Sequence, residues 1–186
     1  MQRLVDLSIN YHNLKLVPID ELPSKGENIR IGNSDGIELS LVEIYNLSLK
    51  MEEICEQEKG IGLSAVQLGV PLNLFVVKGT QNSRLGTNNI YNSFLNCGIS
   101  KFSDKIKSIE GCLSIREDNG NLIHFAVERY NRVWINGYRL LSEDSLKLEQ
   151  IQDFELSDYE AIVFQHEIDH SEGRLISDHG LEYIVY

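Results

Sequence analysis

Five residues near the end of the chain, His166-Glu167-Ile168-Asp169-His170, restrict the local structure more tightly than any other segment. The two histidines are four residues apart, and this spacing puts both imidazoles on one face of an α-helix. Such a pair can bind one metal ion, and the glutamate after the first histidine can act as a general base. The segment therefore predicts a helix and a hydrolytic reaction that uses a metal-activated water.

The residues on both sides of this segment indicate where the helix begins and ends. Ser157 and Glu160 have the spacing of an N-terminal capping box, and residues 161–164 are apolar on every face, as in a buried helix. Gly173 can end the helix as a C-terminal cap. Histidines and acids on a buried helix need partners, because an unpaired buried charge is costly. A metal ion would be such a partner.

A catalytic metal site of this type usually has three protein ligands and one position open to water, so the two histidines need a third ligand. Cys112 follows Gly111, which allows a close backbone approach, and a thiolate suits zinc or ferrous iron better than magnesium or calcium. A lone cysteine is nevertheless more often a small buried hydrophobe, so the residue types alone leave the choice open. The other candidates are the carboxylates, Cys55, Cys97, His12, His124 and His179.

Two further segments extend the pattern. Residues 60–67 read Gly-Ile-Gly-Leu-Ser-Ala-Val-Gln, residues 110–114 read Glu-Gly-Cys-Leu-Ser, and residues 165–170 contain the two histidines. Together and in this order, the three segments resemble the motifs of the peptide deformylase family. Members of this family remove the formyl group from the N-terminal formylmethionine of new proteins. The order and general spacing agree from about Leu16 to Asp178.

The resemblance implies a role for each matching residue. The implied metal ligands are Cys112, His166 and His170. Glu167 would be the general base and acid, and the oxyanion would be held by the side-chain amide of Gln67 and the backbone N–H of Leu113. The implied substrate-binding positions are Ile61, Gly62, Ile162, Val163 and Arg129. The implied metal is ferrous iron, with zinc, nickel or cobalt as substitutes.

These residue types suit the hydrolysis of a formamide, which is a poor electrophile. A bound divalent ion can lower the pKa of its water to about 7. Glu167 would take the proton of that water and return it to the departing amine, because an unprotonated amide anion leaves badly. Each oxyanion donor is typically worth ~10²–10³ in rate.

Composition limits the possible classes of protein. A chain of 186 residues with 24% charged and 42% hydrophobic residues suits one globular domain, so we expect a single catalytic domain over residues 1–186. The net charge of −11 argues against direct nucleic-acid binding. The sequence shows neither a signal peptide nor a membrane span, and its three cysteines are not a disulfide framework. We therefore expect a monomer in the reducing cytoplasm, without a membrane partner.

The pattern of apolar residues predicts an α+β fold, with antiparallel β-sheets packed around the central metal-binding helix and with an N-terminal helix. A capping box at Ser40 and Glu43 opens the N-terminal helix, which runs to about Glu58 with Cys55 on its apolar face. The region before Gly36 is expected to be mostly irregular. Strands are predicted at residues 72–77, 89–95, 123–127 and 133–138, with a hairpin at residues 141–151.

The sequence departs from the family pattern near the expected substrate groove. Arg116 stands where a proline commonly follows the cysteine segment, and residues 116–122 are longer and more polar than usual. The preference for peptide positions beyond formylmethionine therefore does not carry over. The chain resembles a short form that lacks the long C-terminal helix of many bacterial members, so ribosome docking is not expected.

Three functions were compared on these residues. The histidine segment alone would also permit a zincin-like metallopeptidase, but the cysteine and Gln67 segments would then have no task. A degenerate, non-catalytic metal-binding protein on the same scaffold should have lost Glu167 or Gln67, and both are present. We therefore predict an active deformylase. We expect His12, His124 and His179 to be surface or locally satisfied residues.

Overall fold

The computed structural model describes residues 9–31, 35–79, 84, 90–142 and 145–183. The helices within these ranges are α1 (Leu41–Gln57), α2 (Asp158–Ser171) and α3 (Ile176–His179), and the 3₁₀ turns are Tyr11–Asn13, Ile19–Glu21 and Ala65–Leu68. The strands are β1 (Gly62–Ser64), β2 (Leu74–Lys78), β3 (Tyr91–Phe102), β4 (Lys105–Arg116), β5 (Leu122–Tyr130), β6 (Arg132–Leu141), β7 (Lys147–Ser157) and β8 (Leu181–Tyr183). The predicted α+β fold is confirmed. No helix in the described part of the chain is long and apolar enough to cross a membrane.

Helix α1 forms where its capping box predicts. The Ser40 hydroxyl accepts a hydrogen bond from the Glu43 backbone N–H, and the Glu43 carboxylate accepts one from the Ser40 N–H. The apolar side of the helix is buried, including Cys55, as predicted. After the helix, Lys59 takes a left-handed backbone conformation with φ of 57°. This turn directs the chain into the Gly60 segment.

The longer sheet has the strand order β1-β2-β3-β6-β7, with every neighbouring pair antiparallel. The strands predicted at residues 72–77, 89–95 and 133–138 correspond to β2, β3 and β6 of this sheet, whereas the one predicted at residues 123–127 corresponds to β5 of the shorter sheet. The predicted hairpin corresponds to the β6–β7 connection, of which residues 143–144 lie outside the described ranges. Residue 89, at the start of one predicted strand, also lies outside them. Bulges in the β3–β6 and β6–β7 pairs interrupt the regular register.

The shorter sheet has the order β4-β5-β8, and it contains β4, a long strand that was not predicted from the sequence. The short strands β1 and β8 were not predicted either. Strand β4 carries Cys112, and two of its polar residues, Ser108 and Glu110, are buried. Because these polar side chains face inward, β4 lacks the clean alternation of apolar and polar residues that identifies a half-buried strand. The register between β4 and β5 shifts between Gly111 and Arg116.

Helix α2 begins after Ser157, as predicted, but without the expected capping box. The Ser157 side chain makes no capping hydrogen bond, and the Asp158 N–H instead donates to the Asn131 carbonyl. Asp158 has a φ of 55°, because the chain turns sharply from β7 into the helix. Gly173, with φ of 74°, follows the C-terminal end in the predicted left-handed conformation.

One side of α2 packs on the longer sheet. Phe164 makes edge-to-face contacts with Phe75 and Phe94, with ring centroids 5.2 and 4.6 Å apart. Ala161 and Ile168 are buried in the same cluster. Gln165 pairs with both backbone groups of Tyr130 on the shorter sheet, through bonds of 2.9 and 2.8 Å. The opposite side of the helix therefore faces strands β4 and β5.

Candidate metal centre

Three side chains from two elements meet between α2 and β4. Cys112 comes from β4, and His166 and His170 come from successive turns of α2. Their donor atoms all lie within 4.8 Å of one another, and the Cys112 Sγ is 3.3 Å from the His170 Nε2. The structure thus brings together the three ligands that the resemblance implies. Cys55 and Cys97 are buried away from this group, in the two apolar clusters.

The charges of this group favour a thiolate. Burial by itself would raise the pKa of the Cys112 thiol, but the neighbouring imidazoles of His170 and His166 outweigh it and hold that pKa well below its usual range. Burial opposes the charged form of His166, whereas its hydrogen bonds to Cys112 and Glu110 raise its pKa to about 10. A thiolate is the form of cysteine that binds metals, so the electrostatic setting suits a ligand.

Glu110 orients His166. Its Oε2 lies 3.0 Å from the His166 Nδ1, which leaves the Nε2 of that ring for a metal. Burial opposes the Glu110 charge, but His166 and Arg129 hold its pKa at about 2. No role was expected for Glu110 from the sequence, although it opens the cysteine segment. The available signal was an acidic residue two positions before a candidate metal ligand.

Arg129 lies in a different place from the one we expected. Its guanidinium does not line the cavity but is buried between two carboxylates. It donates to Glu110 through bonds of 2.8 and 2.9 Å and also to Asp169. Asp169 in turn accepts from Arg174 at 3.0 Å. Arg129 on β5 therefore connects Glu110 on β4 with Asp169 on α2, and it does not have the substrate-binding role implied by the resemblance.

Asp169 joins this network from the histidine segment itself. Its carboxylate is buried, and its Oδ2 lies 3.7 Å from the Nε2 of His179. The side chain of His12 lies outside the described part of the chain. The two buried carboxylates beside Arg129 thus each have a cationic partner, as buried charges require.

Glu167 is buried but incompletely paired. It is 3% exposed, and its Oε2 has no hydrogen-bond partner among the described residues. Burial raises its pKa to about 7, although the His166 and His170 imidazoles oppose the rise. A Cβ at Gly62 would collide with this carboxylate, so a glycine is required where β1 crosses it. Glu167 and Gly62 line the same cavity.

Gln67 lies beside the cysteine. Its Oε1 accepts the Ser64 N–H at 2.9 Å, which leaves its Nε2 to donate. That Nε2 lies 3.1 Å from the Ser114 Oγ and 3.6 Å from the Cys112 Sγ. The side-chain amide of Gln67 is therefore held with its N–H groups directed toward Cys112, one of the three candidate metal ligands.

A cavity of about 300 Å³ opens next to these residues. Its lining includes the four apolar or glycine positions expected from the resemblance, Ile61, Gly62, Ile162 and Val163. Gln67, Leu113 and Glu167 also line it. His124 on β5, which lies opposite Gly111 on β4, lines it as well. The lining comes from five separate segments, which no local sequence pattern could connect.

The residues fit a divalent metal ion. One thiolate and two imidazoles are the ligands that zinc and ferrous iron prefer. The orphaned oxygen of Glu167 is a second observation, because a buried carboxylate without a partner is rare unless it serves an ion, a water or a substrate. The three donors and the carboxylate together suit hydrolysis of a bond held in the cavity.

Known proteins resemble the chain over most of its length. The profile of the family described as polypeptide deformylase matches residues 25–182. A peptide deformylase of Mycoplasmopsis pulmonis is 30% identical over 178 residues, which are 87% of this chain and 86% of that protein. One of Aquifex aeolicus is 33% identical over 131 residues, or 70% of this chain and 69% of that protein.

Solved structures show the same fold. The structure of a probable peptide deformylase from Synechococcus phage S-SSM7 superposes with a TM-score of 0.70 at 27% identity, covering 90% of this chain and 99% of that one. A peptide deformylase from Plasmodium falciparum gives a TM-score of 0.66 at 29% identity, covering 89% and 86%. The α+β architecture described above is thus shared with these proteins.

Proposed function

Since the chain belongs to the peptide deformylase family, we propose that it removes the N-formyl group from the formylmethionine of nascent polypeptides by hydrolysis and releases formate. The observation that carries this function is the meeting of Cys112, His166 and His170 beside the orphaned carboxylate of Glu167 at a cavity wall. A general base in a buried position, next to three metal-binding donors, fits metal-dependent hydrolysis.

We propose that Cys112, His166 and His170 hold one divalent ion, natively ferrous iron, for which zinc, nickel or cobalt can substitute. When bound, such an ion would supply a water of lowered pKa and polarise the formyl carbonyl. Glu110 would keep the His166 ring in the tautomer that presents its Nε2, and Arg129 would hold Glu110 in place. Arg129 is therefore proposed as a positioning residue rather than a substrate contact.

Glu167 would move the proton of the reaction. Its raised pKa, about 7, suits a group that must accept a proton and give it back near neutral pH. Its Oε2 would accept the proton of the attacking water, and the same carboxyl would then return it to the departing amine. Gly62, which leaves room for the carboxylate, would also allow the peptide backbone to approach closely.

Gln67 and Leu113 would stabilise the developing oxyanion. The Gln67 Nε2 is directed toward Cys112 by the Ser64 contact described above. The register shift between Gly111 and Arg116 leaves Leu113 outside the regular β4–β5 pairing, which supports a role for its N–H in binding substrate. One such donor is typically worth ~10²–10³ in rate.

The methionine side chain would lie against Ile61, Ile162 and Val163, which line the cavity with Gly62. These apolar walls suit an unbranched, flexible thioether side chain. We further propose that the chain acts as a monomer, as expected from the sequence. Its described cysteines are free and buried, which suits the reducing cytoplasm.

Formate release from formyl-Met-Ala-Ser, beside cleavage of the unformylated peptide, tests the function. A deformylase releases formate and leaves the peptide bonds intact, whereas a zincin-like peptidase cleaves the unformylated peptide. A non-catalytic metal-binding protein does neither. Absence of formate release from the metal-loaded protein would overturn the proposal.

Glu167→Gln tests the proton carrier. The variant should keep one metal ion per chain while turnover falls about 10²–10⁴-fold, because the neutral amide cannot accept the proton. Glu172→Gln is the matched control, since it removes an exposed carboxylate at the end of the same helix and should keep turnover near wild type. Retained turnover in Glu167→Gln would remove this residue from the mechanism.

Cys112→Ser tests the third ligand. A neutral hydroxyl is a poorer ligand than a thiolate, so metal binding should weaken. Metal content after dialysis against a buffered metal solution measures the effect. A variant that holds one ion per chain as tightly as wild type would exclude Cys112 from the site.

A further inference from the structure

Arg116 contacts three separate segments around the cavity. Its Nε donates to the Leu113 carbonyl at 3.1 Å, its Nη1 to the Gly120 carbonyl at 3.0 Å, and its Nη2 to the Glu58 carboxylate at 2.8 Å. All the donor nitrogens of the guanidinium are therefore used, and each binds a different segment. Such a planar, multidentate arrangement is available to arginine and not to lysine.

Two segments next to these contacts line the cavity. We call residues 59–62 the glycine wall and residues 108–113 of β4 the strand wall. The two walls are in close contact, because a Cβ on Gly60 would lie 2.8 Å from the Leu113 Cδ1. Glu58 comes directly before the glycine wall, at the end of α1. Arg116 thus joins the two walls at a second point.

The bond to Leu113 replaces a contact that the sheet does not supply. Because the β4–β5 register shifts between Gly111 and Arg116, the Leu113 main chain has no regular strand partner there. The Arg116 Nε binds its carbonyl instead. The N–H of the same residue is the one proposed above as an oxyanion donor, so the side chain of Arg116 fixes the residue that carries that donor.

The bond to Gly120 fixes the connection between β4 and β5. This connection is already closed by two backbone bonds, Gly120 N–H to the Glu117 carbonyl at 2.9 Å and Glu117 N–H to the Asn121 carbonyl at 2.8 Å. It leads directly to Leu122, which lines the cavity. Arg116 attaches this closed turn as a unit to the strand wall.

We propose that Arg116 is a positioning residue of the deformylation reaction, which fastens the glycine wall, the strand wall and the β4–β5 turn so that Leu113 keeps its place. The expected effect on turnover rests on the proposed function, whereas the three hydrogen bonds of Arg116 are properties of the fold. The ion pair with Glu58 is partly exposed, with 32% and 40% of the two side chains accessible. Exposed pairs contribute little to stability, so the effect is expected in turnover rather than in folding.

Arg116→Ala tests this role. We expect kcat for formate release to fall about 10–100-fold, because a small displacement of an oxyanion donor removes much of its effect. Metal content should stay at the wild-type value, since the three ligands are untouched. Arg132→Ala is the matched control, because Arg132 also forms a partly exposed pair, with Glu155 at 3.2 Å, away from the cavity. It should keep kcat unchanged.

Two further variants separate the ion pair from the carbonyl contacts. Glu58→Gln removes only the charge that Arg116 meets on the α1 side, so kcat should change by less than about threefold. Exchanging the two charges in Glu58→Arg with Arg116→Glu restores an ion pair, but a carboxylate cannot donate to the Leu113 and Gly120 carbonyls. The exchanged variant should therefore remain as slow as Arg116→Ala. Recovery of kcat by the exchange would overturn the role of the carbonyl contacts.

Amide hydrogen exchange gives a readout that does not depend on activity. In Arg116→Ala, peptides covering residues 113–122 should exchange faster, whereas the Arg132→Ala control should match wild type in the same peptides. If the wild-type protein released no formate, the proposed function would be overturned. Hydrogen exchange would then still test whether Arg116 holds residues 113–122 in place. Unchanged kcat in Arg116→Ala beside an active wild type, or unchanged exchange, would overturn the inference.

Discussion

The two sheets bury helix α2 by different means. On the side of the longer sheet, Phe164 meets Phe75 and Phe94 in a compact aromatic group, and Ala161 and Ile168 complete the contact. Apolar burial of this kind contributes roughly 25 cal/mol per Å² removed from water. The contact requires no specific partner, and its strength depends on how closely the side chains fit.

On the side of the shorter sheet, the same helix buries charge. Glu167 and Asp169 are almost fully enclosed, and Arg129 lies between Glu110 and Asp169. Taking such groups out of water costs several kcal/mol each, and the paired charges recover that cost only when every partner is present. The difference teaches that one side of α2 stabilises the fold, whereas the other side holds the reactive groups in position at a cost to the fold.

The largest expected effect on stability comes from the apolar side. Phe164→Ala should lower the free energy of unfolding by about 3–5 kcal/mol, because it leaves a cavity between two other rings. Phe102→Ala is the control, since Phe102 is 60% exposed and stacks on Tyr130; it should cost about 1 kcal/mol or less. Denaturant unfolding measures both.

Metal bound per folded chain should stay the same in both phenylalanine variants. If Phe164→Ala lost its metal while keeping the wild-type free energy of unfolding, the two sides of the helix would not divide their tasks as described.

Metal removal should have the next largest effect, on the polar side. A ligand present at a hundred times its Kd stabilises the folded state by about 2.7 kcal/mol, so chelation should lower the midpoint of thermal unfolding by about 5–10 °C. The same chelator should shift Cys112→Ser much less, because that variant holds the metal weakly from the start. Scanning calorimetry with and without the chelator checks this. An equal shift in both proteins would mean that the stabilising ion binds elsewhere.

Glu110→Gln should have the smallest effect of the three. Metal affinity should fall about 10–100-fold, since the amide still accepts a bond from the His166 ring but no longer carries the charge that orients and polarises it. Glu128→Gln, an exposed acid on the adjacent strand β5 that pairs with Lys105, is the control. Competition with a coloured chelator measures both affinities. Equal affinities would show that the carboxylate is structural and does not tune the ligand.

Much of the site was predictable because its chemistry lies in short segments. The four-residue spacing of His166 and His170 puts both side chains on one face of a helix, whatever the rest of the fold. The capping box at Ser40 likewise involves only four consecutive residues. By contrast, the Ser157 side chain left its expected bond unmade, because the sharp turn at Asp158 ties the helix start to Asn131. Local signals predicted where α2 begins, but they did not predict which group accepts the hydrogen bond of the first backbone N–H of the helix.

Other residues could not be placed without the fold. Glu110 and Arg129 are 19 residues apart, and the β4–β5 register brings them together. His124 lines the cavity because it lies opposite Gly111 on the adjacent strand. Strand β4 was missed because its buried face carries polar groups, Ser108 and Glu110, which interrupt the pattern of apolar residues. In each case the deciding contact joins segments that are distant along the chain.

By itself the sequence determined the chemical groups, the helical spacing of the two histidines and the family to which they point. These follow from residue identity and from interactions within a few residues, which the order of the chain specifies directly. The tertiary structure alone decided which acids are buried with partners and which side chains, beyond those implied by the resemblance, line the cavity. Those outcomes depend on sheet register and on the burial of charge between packed elements, and both are settled only when the whole chain has folded.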